Sequence, residues 1–584
     1  MNKYLIGIFI GGYFTISPIL SLANEKVDIR TTQTVLDRHN LSSVDAALYK
    51  SIFALQRNGS WRKADLEKQK LEDISLLGHV LAQRYLHPTK YRSKYSELVL
   101  WLKSFGDHPD AKRIYRLALK RKPKSARLPK KPFIYGPQKG NTLKMKSYGT
   151  YYRLRKASVP ISSKTRNFHN KVRRLVARQR LTLAERFVDQ FEKRGMHPAH
   201  ISIARARISA GWFYYGNDTK TIDLARKIDP RARHLAPLGW WYSGLALFRK
   251  NDFKAAAENF ELLALSDDIS AASRASAAFW AGRANMIARL PARAFKFFKL
   301  AAREKFQFYG ILATQVIGLK FFGNWGSSSN NSAKLIFFKR HPSAQRAMKL
   351  FQIGERTRAA RELEQLSHDP DPRAQRALLQ SADALSMPRL AYQTAKSLEF
   401  DGTRLVLRGL YPLPPWTPKE GLILDRALIF AFMRQESAFR TRARSPAGAR
   451  GLMQLMPRTA RYIGGRNYRA QNIRRLYEPE ININLGQKYL AYLMENDLVG
   501  PNLFLLAAAY NAGPGNLKKW REKIKTGSDS LMFIESLPSR ETRNFIERVV
   551  ANFWIYRNRL GQPVPSLKSL AEGGIPMYQV LDKL

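Results

Sequence analysis

Cysteine is absent from the 584-residue chain. Its absence excludes a disulfide scaffold, a thiolate zinc site and a cysteine nucleophile. Because lipoproteins are anchored through an N-terminal cysteine, we do not expect the protein to be a lipoprotein. We therefore expect the functional side chains to act through oxygen and nitrogen atoms.

Acidic residues are scarce. The sequence has 45 Asp and Glu against 100 Lys and Arg, a formal net charge of +55. Hydrophobic residues make up 45% of the chain and aromatic residues 11%, which is typical of a folded protein rather than a disordered one. A folded chain with this charge is expected to work beside a polyanion: nucleic acid, an anionic membrane, or an acidic wall polymer such as peptidoglycan, whose stem peptides carry carboxylates.

Long apolar runs are lacking except at the N-terminus. After Lys3, residues 4–20 are almost uncharged, and residues 21–23 are the small-residue sequence Ser-Leu-Ala. This pattern predicts a secretory signal peptide over residues 1–23. The alternative is an N-terminal membrane anchor, but the run contains Gly11, Gly12 and Pro18 and is short for a span. Export predicts a soluble mature protein with no integral membrane segment and argues against a nucleic-acid partner.

Alternating strand patterns are also lacking between about residues 30 and 400, where apolar residues recur at three- and four-residue spacing. This spacing predicts an all-α region. Two stretches resemble copies of one helical hairpin, and a repeat of this length is typical of helix-pair solenoids. The matching positions, 38 residues apart, are Trp241, Gly244, Ala246, Ala256 and Phe260, then Phe279, Gly282, Ala284, Ala294 and Phe298. We predict an α-superhelical solenoid of helix pairs over residues 24–407.

Most of the positive charge belongs to this region. From residue 415 to the end the sequence has 26 basic and 14 acidic residues, so the excess lies upstream. The upstream cations form either a solvated face of a scaffold or a surface that binds a partner.

Four prolines between residues 408 and 420 mark a boundary. They are Pro412, Pro414, Pro415 and Pro418. A helix cannot run through such a segment. We therefore predict a linker over residues 408–420 and a second, compact domain over residues 421–584.

Glu436 follows the first helix predicted for this second domain. Apart from Asp425 and Arg426, residues 423–433 are apolar on every side, which indicates a buried helix. A carboxylate at the end of such a helix is partly desolvated, and its pKa is raised toward that of a general acid. The alternative is that Glu436 is a surface residue or is paired with a nearby arginine.

Two further segments predict a ligand cleft. Residues 445–454 form a small-residue turn with two glycines that ends in Gln454, a backbone that can approach a ligand closely. Residues 505–512 predict a buried helix that stops at Gly513-Pro514, which places Tyr510 and Asn511 in its last turn. Tyr510 could also be a core aromatic, and Met453 could serve only in packing.

The chain resembles the soluble lytic transglycosylases of Gram-negative bacteria. Four blocks carry the resemblance in order: residues 436–439 (Glu-Ser-Ala-Phe), 448–454 (Gly-Ala-Arg-Gly-Leu-Met-Gln), 509–513 (Ala-Tyr-Asn-Ala-Gly) and 541–544 (Glu-Thr-Arg-Asn). Upstream, residues 82–88 and 107–111 are similar to the family's large helical domain, which implies that the solenoid is curved into a ring. The resemblance also implies a lysozyme-like fold for residues 421–584 and a periplasmic location.

The resemblance implies that Glu436 is the single catalytic acid and base. It would cleave the β-1,4 bond between N-acetylmuramic acid and N-acetylglucosamine and leave a 1,6-anhydromuramyl end without using water. The residues that match the family's sugar groove and cleft are Ser445, Met453, Gln454, Tyr510, Asn511 and Glu541. Glu541 also lies in the expected first turn of a helix after a Ser539 cap, so stabilisation of the helix dipole is an alternative role. Ser437 either orients the Glu436 carboxylate or caps the helix.

Two alternatives to a transglycosylase remain open from the sequence. Hydrolytic glycosidases generally need a second carboxylate, and none of the other acids between residues 421 and 520 lies in a glycine-turn block. A hydrolytic muramidase would therefore need Glu478 or Glu541 to approach the sugar. A non-enzymatic adaptor that only binds glycan is the other alternative. We predict no cofactor and no metal site, and the protein partners are unknown.

Overall fold

The computed structural model describes residues 40–132, 154, 156–320, 325–326, 341–367, 369, 371–398, 404–468, 470–524 and 526–582. The signal peptide predicted over residues 1–23 lies outside the described residues. The described residues form helices and no β-sheet, and their strand-like pairing is limited to three isolated bridges. The all-α fold predicted from the sequence is confirmed. None of the helices in these ranges combines the length and apolarity needed to cross a bilayer.

The α-helices of the first part are α1 (Ser43–Arg57), α2 (Trp61–Gln69), α3 (Leu77–Tyr85), α4 (Tyr95–Ser104), α5 (Ala111–Arg121), α6 (Ser163–Ala177), α7 (Leu181–Lys193), α8 (Pro198–Tyr214), α9 (Asp218–Arg226), α10 (Pro237–Arg249), α11 (Phe253–Ala264), α12 (Ala271–Ile287), α13 (Pro291–Ala302) and α14 (Phe308–Val316).

Those that follow are α15 (Pro342–Gln352), α16 (Arg356–Leu366), α17 (Pro372–Ala384), α18 (Pro388–Ser397), α19 (Arg404–Leu410), α20 (Arg426–Ser437), α21 (Pro457–Gly464), α22 (Pro479–Met494), α23 (Leu503–Ala512), α24 (Pro514–Lys523), α25 (Ser530–Ser536), α26 (Arg540–Arg559) and α27 (Pro565–Ala571). Short 3-10 helices span Pro230–Leu235, Gly465–Tyr468 and Ala470–Tyr477.

The chain divides into two compact units. The first comprises residues 1–134 and 335–363, and the second comprises residues 135–334 and 364–584. In the first unit α3, α4 and α5 enclose a core built around Trp101. The second unit contains α6 to α14 and α17 to α27.

Helix pairs in the second unit are joined by one recurring turn. In four of these turns a non-glycine residue has a positive φ: Gln179, Asn251, Arg289 and Ser386. In each case the next backbone N–H donates to the carbonyl five residues before it, as in Leu290 N to Asn285 O at 2.9 Å. This hydrogen bond satisfies a carbonyl that the ending helix leaves open, so the chain reverses within a few residues.

The repeat predicted from the sequence is confirmed in the packing of α10 to α13. Gly244 of α10 lies against the ring of Phe260 in α11, and Gly282 of α12 lies against Phe298 in α13. A Cβ atom added at Gly244 would stand 2.7 Å from the Phe260 ring, and one added at Gly282 would stand 2.8 Å from the Phe298 ring. The small residues therefore let each helix approach its partner closely, as expected for a helix-pair solenoid.

The helix pairs and the C-terminal helices of the second unit share one apolar core. That cluster runs from Phe213 through the α12 and α13 residues to Trp554 and Tyr556. The ring of Phe308 stacks on Trp554 with centroids 5.2 Å apart. Residues 411–425, within which the predicted linker ends, are not helical, and Tyr411 in this segment is buried.

Asp425 anchors the start of α20. The carboxylate is fully buried, forms an ion pair with Arg557 of α26, and accepts hydrogen bonds from the backbone of Leu581 and Asp582. The hydroxyl of Tyr578 accepts a hydrogen bond from the Asp425 N–H at 3.0 Å. These contacts fix the helix that carries Glu436 to α26 and to the C-terminal segment.

Candidate active site

Glu436 occupies the last turn of α20. Residues 427–433 are buried on every side of this helix, as the uniform apolar sequence predicts. The helix ends because Ala438 and Phe439 adopt left-handed conformations, with φ of 50° and 62°. Two successive non-glycine residues in this region are costly, and such conformations cluster at functional sites. The turn leaves Glu436 half-buried at the C-terminal end of a core helix.

Burial raises the pKa of Glu436 to about 8, and the negative charge of Glu541 adds to the effect. The guanidinium of Arg434, two residues before Glu436, binds other groups. Arg434 donates to the Leu410 carbonyl at 2.8 Å and to Asn552 Oδ1 at 2.6 Å, and its guanidinium lies over the ring of Tyr411. Glu436 is therefore protonated at neutral pH, which is the form that a general acid requires.

Ser437 does not orient the neighbouring carboxylate through its hydroxyl in this structure. Its Oγ donates to the Met433 carbonyl one turn earlier, at 3.1 Å, and the side chain is buried. The hydroxyl hydrogen of Ser437 is therefore used in a hydrogen bond within α20.

The glycine turn is held by Asn482 of α22. The buried Asn482 amide donates to the carbonyls of Arg450 and Leu476, at 3.0 and 2.9 Å, and its Oδ1 accepts from the Met453 N–H at 2.7 Å. A side chain at Gly451 has no room, because a Cβ atom there would stand 2.2 Å from the Leu476 carbonyl oxygen. The glycine is thus required by the close approach of the turn to Leu476 in the preceding 3-10 helix and to Asn482 of α22, whose Nδ2 would stand 2.3 Å from the same Cβ.

Ser445 and Gln454 lie at the two ends of this turn. The Ser445 hydroxyl accepts from the Ala449 N–H at 3.0 Å. Gln454 has a φ of 48°, and its side-chain amide donates to the Gly451 carbonyl at 2.8 Å. Both contacts are internal to the turn and fix its conformation.

Tyr510 connects the glycine turn to Glu436. Its hydroxyl donates to the Met453 carbonyl at 2.7 Å, and its half-buried ring packs on Phe432 of α20 with centroids 4.7 Å apart. Burial raises the pKa of Tyr510, and the nearby Glu436 carboxylate raises it further. The phenol therefore stays neutral and rigidly held beside the acid.

Met453 contributes through its backbone. Its side chain is fully buried and packs against Gly486 of α22, where a Cβ atom would stand 2.1 Å from the sulfur. Its N–H and its carbonyl bind Asn482 and Tyr510, respectively.

Asn511 and Thr542, the residue after Glu541, meet where α23 faces the start of α26. Thr542 donates from Oγ1 to Asn511 Oδ1 at 2.9 Å, and the Ser539 hydroxyl accepts the Thr542 N–H, which confirms Ser539 as the helix cap. Glu541 is exposed in the first turn of α26. Its charge raises the pKa of Glu436, so the two carboxyl groups interact electrostatically.

The structure thus gathers Glu436, Tyr510, Met453, Asn511 and Glu541 through contacts and electrostatic coupling, while the Ser445 and Gln454 hydrogen bonds fix their own turn. The sequence interpretation missed the three supporting residues Asn482, Gly486 and Thr542. Thr542 lies in the fourth sequence block, but no role was predicted for it. Asn482 lies 29 residues from the turn that it holds.

A group of potential metal ligands lies in the first unit. His79, His108 and Glu362 are buried, and their ligand atoms lie within 4.8 Å of one another. The Asp110 N–H donates to His108 Nδ1 at 3.0 Å, which leaves the proton of neutral His108 on Nε2, the atom that would face a metal. Glu362 already binds His79 Nε2 at 2.7 Å and Arg346 at 2.9 Å. These hydrogen bonds place a proton on one candidate ligand atom and already engage the Glu362 carboxylate, so the cluster does not suit a metal ion.

Comparison with known proteins places the site in a family context. Residues 419–533 match the family model described as the Transglycosylase SLT domain. The chain is 39% identical over 146 residues to the soluble lytic murein transglycosylase of Salmonella typhimurium, covering 24% of this chain and 22% of that protein. It is 38% identical over 160 residues to the Escherichia coli protein of that name, covering 26% and 24%. The match spans about a quarter of the length of these relatives.

Solved structures of low sequence identity share the fold of this chain over more than 90% of its length. An inactive mutant of the lytic transglycosylase Slt from Pseudomonas aeruginosa has a TM-score of 0.55 at 20% identity, covering 96% of this chain and 92% of that one. The 70-kDa soluble lytic transglycosylase in complex with bulgecin A has a TM-score of 0.57 at 18% identity, covering 93% and 100%. The resemblance and the fold class predicted from the sequence are confirmed.

Proposed function

We propose that this chain, whose residues 419–533 belong to the transglycosylase SLT domain family, is a lytic transglycosylase of peptidoglycan. The observation that carries the proposal is the half-buried Glu436 at the end of a core helix, in the first of the four sequence blocks, where burial raises its pKa to about 8. Its substrate would be the β-1,4 bond between N-acetylmuramic acid and N-acetylglucosamine.

The proposed reaction uses one carboxyl group twice. Glu436 donates its proton to the glycosidic oxygen as the bond between that oxygen and the anomeric carbon breaks. The resulting carboxylate then accepts the proton of the muramyl 6-hydroxyl, whose oxygen bonds to the anomeric carbon and closes the 1,6-anhydro ring. Glu436 ends protonated and no water is consumed. An internal nucleophile held at the reacting carbon needs no second carboxylate to activate it.

The other candidate residues would shape the cleft around this carboxyl group. Tyr510 presents a neutral phenol and, through Met453, ties the glycine turn to α23. Asn511 and Glu541 line the side formed by α23 and α26, and Ser445 and Gln454 define the turn on which the glycan would lie. Glu541 also supports the acid form of Glu436, because a second negative charge nearby disfavours ionisation.

Location and domain boundaries are part of the proposal. The signal peptide predicted from the sequence and the wall substrate support export to the periplasm. We retain residues 24–407 as the helical solenoid, residues 408–420 as the linker and residues 421–584 as the catalytic region, because the four site blocks all fall in the last of these segments.

The proposal is tested by mass spectrometry of muropeptides released from purified sacculi. The wild-type protein is expected to release products with 1,6-anhydromuramyl ends, and Glu436→Gln to release none, because an amide cannot donate the required proton. Glu480→Gln is the matched control: Glu480 is an exposed glutamate in the first turn of α22, and its variant is expected to match the wild type.

Other outcomes separate the alternatives. Reducing-end products from the wild type would indicate a hydrolytic muramidase. Equal product release by Glu436→Gln and the wild type would remove Glu436 from the mechanism. Binding of glycan without product from any variant would support the adaptor.

A further inference from the structure

We propose that an open groove between α6 and α7 binds the carboxylate-bearing stem peptides of peptidoglycan. This basic groove is lined by Lys164, Phe168, Lys171, Arg174, Phe187 and Phe191, and its volume is about 720 Å³. The proposal rests on the proposed function, because it concerns another part of the same polymer. It adds a peptide-binding surface outside the residues of the candidate active site.

The groove lies in a segment from which acidic residues are missing altogether. Between Asp110 and Glu185 the sequence contains 23 Lys and Arg and no Asp or Glu. The whole of α6 falls within this segment. A helix without acidic residues has no counter-charges of its own, so its cations attract anions from outside the helix.

The cations of the groove share one face of α6. Lys164, Lys171 and Arg174 are seven and three residues apart, a spacing that repeats on one side of a helix, and all three are exposed. With a rise of 1.5 Å per residue they extend over roughly 15 Å along the axis. Three anchoring points over this length suit an extended chain with several carboxylates.

The acidic residues of α7 do not neutralise this face. Glu185 accepts the indole N–H of Trp212, and Glu192 accepts from Arg205 at 2.8 Å. Asp189 also forms an ion pair with Arg205, at 3.5 Å. The acids of α7 are thus bound to α8, while Phe187 and Phe191 of the same helix line the groove.

The apolar side of the groove favours a peptide over a phosphate polymer. Phe187 and Phe191 pack on each other with centroids 4.8 Å apart, and both pack on the buried Phe168. Because the three rings pack together in one cluster, their exposed parts offer an apolar wall rather than separate platforms for bases. Stem peptides combine carboxylates with alanine methyl groups, which match cations on one side and phenylalanines on the other.

The test compares two variants of equal charge. The groove variant carries Lys164→Gln, Lys171→Gln and Arg174→Gln. The control variant carries Arg166→Gln, Arg173→Gln and Arg180→Gln, three exposed cations outside the lining of the groove. The spacing of the first two places them on the opposite side of α6, and Arg180 lies in the turn between α6 and α7. Both variants lose three positive charges, so a difference between them reports the position of the charges and not their number.

Binding is measured by sedimentation with intact sacculi and with glycan strands whose stem peptides an amidase has removed. Circular dichroism verifies that both variants are folded. We expect the groove variant to lose about tenfold in affinity for intact sacculi, since each exposed ion pair contributes modestly and three act together. The control variant is expected to lose less than about twofold, and neither variant should change binding to the stripped strands.

Three results would overturn the proposal. Equal losses for the two variants would show that only net charge matters. A loss confined to the stripped strands would show that the groove binds glycan. A loss confined to a phosphate polymer, probed with a double-stranded DNA fragment, would assign the groove to another partner. Release of anhydro products, measured on the same samples, reports the proposed function separately, so that function can stand when the groove proposal fails.

Discussion

Glu436 is the residue on which the proposed chemistry depends, and its protonation sets the pH dependence. Because its pKa is raised to about 8, the acid form is present at neutral pH and is lost as pH rises through 8. We expect initial rates on sacculi to fall on the alkaline side with a midpoint near this value.

Glu541 should contribute to the position of this midpoint, in addition to the larger effect of burial. Its negative charge contributes to the raised pKa of Glu436, so Glu541→Gln is expected to move the alkaline midpoint to lower pH. Glu480→Gln removes a charge from an equivalent helix position elsewhere in the domain and should leave the midpoint unchanged. An identical profile for Glu541→Gln and wild type would contradict the coupling of the two carboxyl groups.

The same raised pKa predicts a stability effect that does not depend on enzymatic activity. In the unfolded chain Glu436 titrates near its ordinary value of 4.5, whereas in the folded state it retains its proton up to about 8. The folded state therefore binds more protons between these limits, and its stability falls as pH rises through the window, by up to about 1.4 kcal/mol per pH unit.

Glutamine at this position cannot ionise and escapes that loss. We expect Glu436→Gln to melt at about the same temperature as wild type near pH 4.5 and several degrees higher at pH 8, measured by scanning calorimetry. A difference in melting temperature that does not change with pH would contradict the raised pKa.

At the scale of the element, the glycine turn depends on two glycines in unequal ways. Both Gly448 and Gly451 have positive φ, but only Gly451 faces backbone atoms, with the Leu476 oxygen 2.2 Å from an added Cβ. An added Cβ at Gly448 meets nothing within 4 Å. Substitutions at the two positions therefore distinguish the cost of backbone strain alone from the cost of strain combined with a steric clash.

We expect Gly448→Ala to cost about 1 kcal/mol, the strain of a left-handed residue. Gly451→Ala should cost about 3 kcal/mol or more, since the turn must also move away from α22. Urea denaturation measures the loss of folding stability in each variant. Product release from sacculi should fall only for Gly451→Ala. Similar stability of the two variants would show that the turn does not depend on its packing against α22.

The sequence predicted those parts of the site that are local in the chain. The buried helix before Glu436 and the last turn of α23 follow from short apolar patterns, and the structure contains both. Asn482 could not be identified in this way, because its partners in the glycine turn lie 29 and 32 residues away and a single asparagine in a helix has no distinctive pattern. The group of His79, His108 and Glu362 was missed for the same reason, with 283 residues between two of its members.

Helix pairing shows the same limit. The 38-residue repeat indicated the hairpins of α10 to α13, since glycine and phenylalanine recur at fixed positions. The left-handed backbone conformation within the turns was not predicted, because Gln179, Arg289 and Ser386 occupy positions usually assigned to glycine. In each of these turns the following backbone N–H donates to the carbonyl five residues before it, a hydrogen bond that the residue types do not indicate.

At the scale of the whole molecule, the continuous core of the second unit has a consequence for unfolding. Phe308 stacks on Trp554, Tyr309 donates to Glu535 at 2.5 Å, and Arg283 forms an ion pair with Asp529 at 3.0 Å. These contacts join helices α12 and α14 to α25, α26 and the residues before them. The helix pairs and the catalytic region of this unit should therefore unfold together.

Native-state hydrogen exchange tests this cooperativity. We expect the backbone amides of α12 and α26 to share one dependence of exchange free energy on denaturant, because neither helix keeps its core when the other unfolds. Exchange of α12 at a lower free energy, with α26 still protected, would show two separate folding units.

The central claim is that Glu436 directs an internal hydroxyl, and not water, to the anomeric carbon. The most direct measurement is mass spectrometry of products formed by the wild-type protein from sacculi in water enriched in heavy oxygen. The account predicts muropeptides lighter than hydrolysis products by one water molecule and free of heavy oxygen at the muramyl end. Incorporation of heavy oxygen at that carbon would contradict it and would establish hydrolysis.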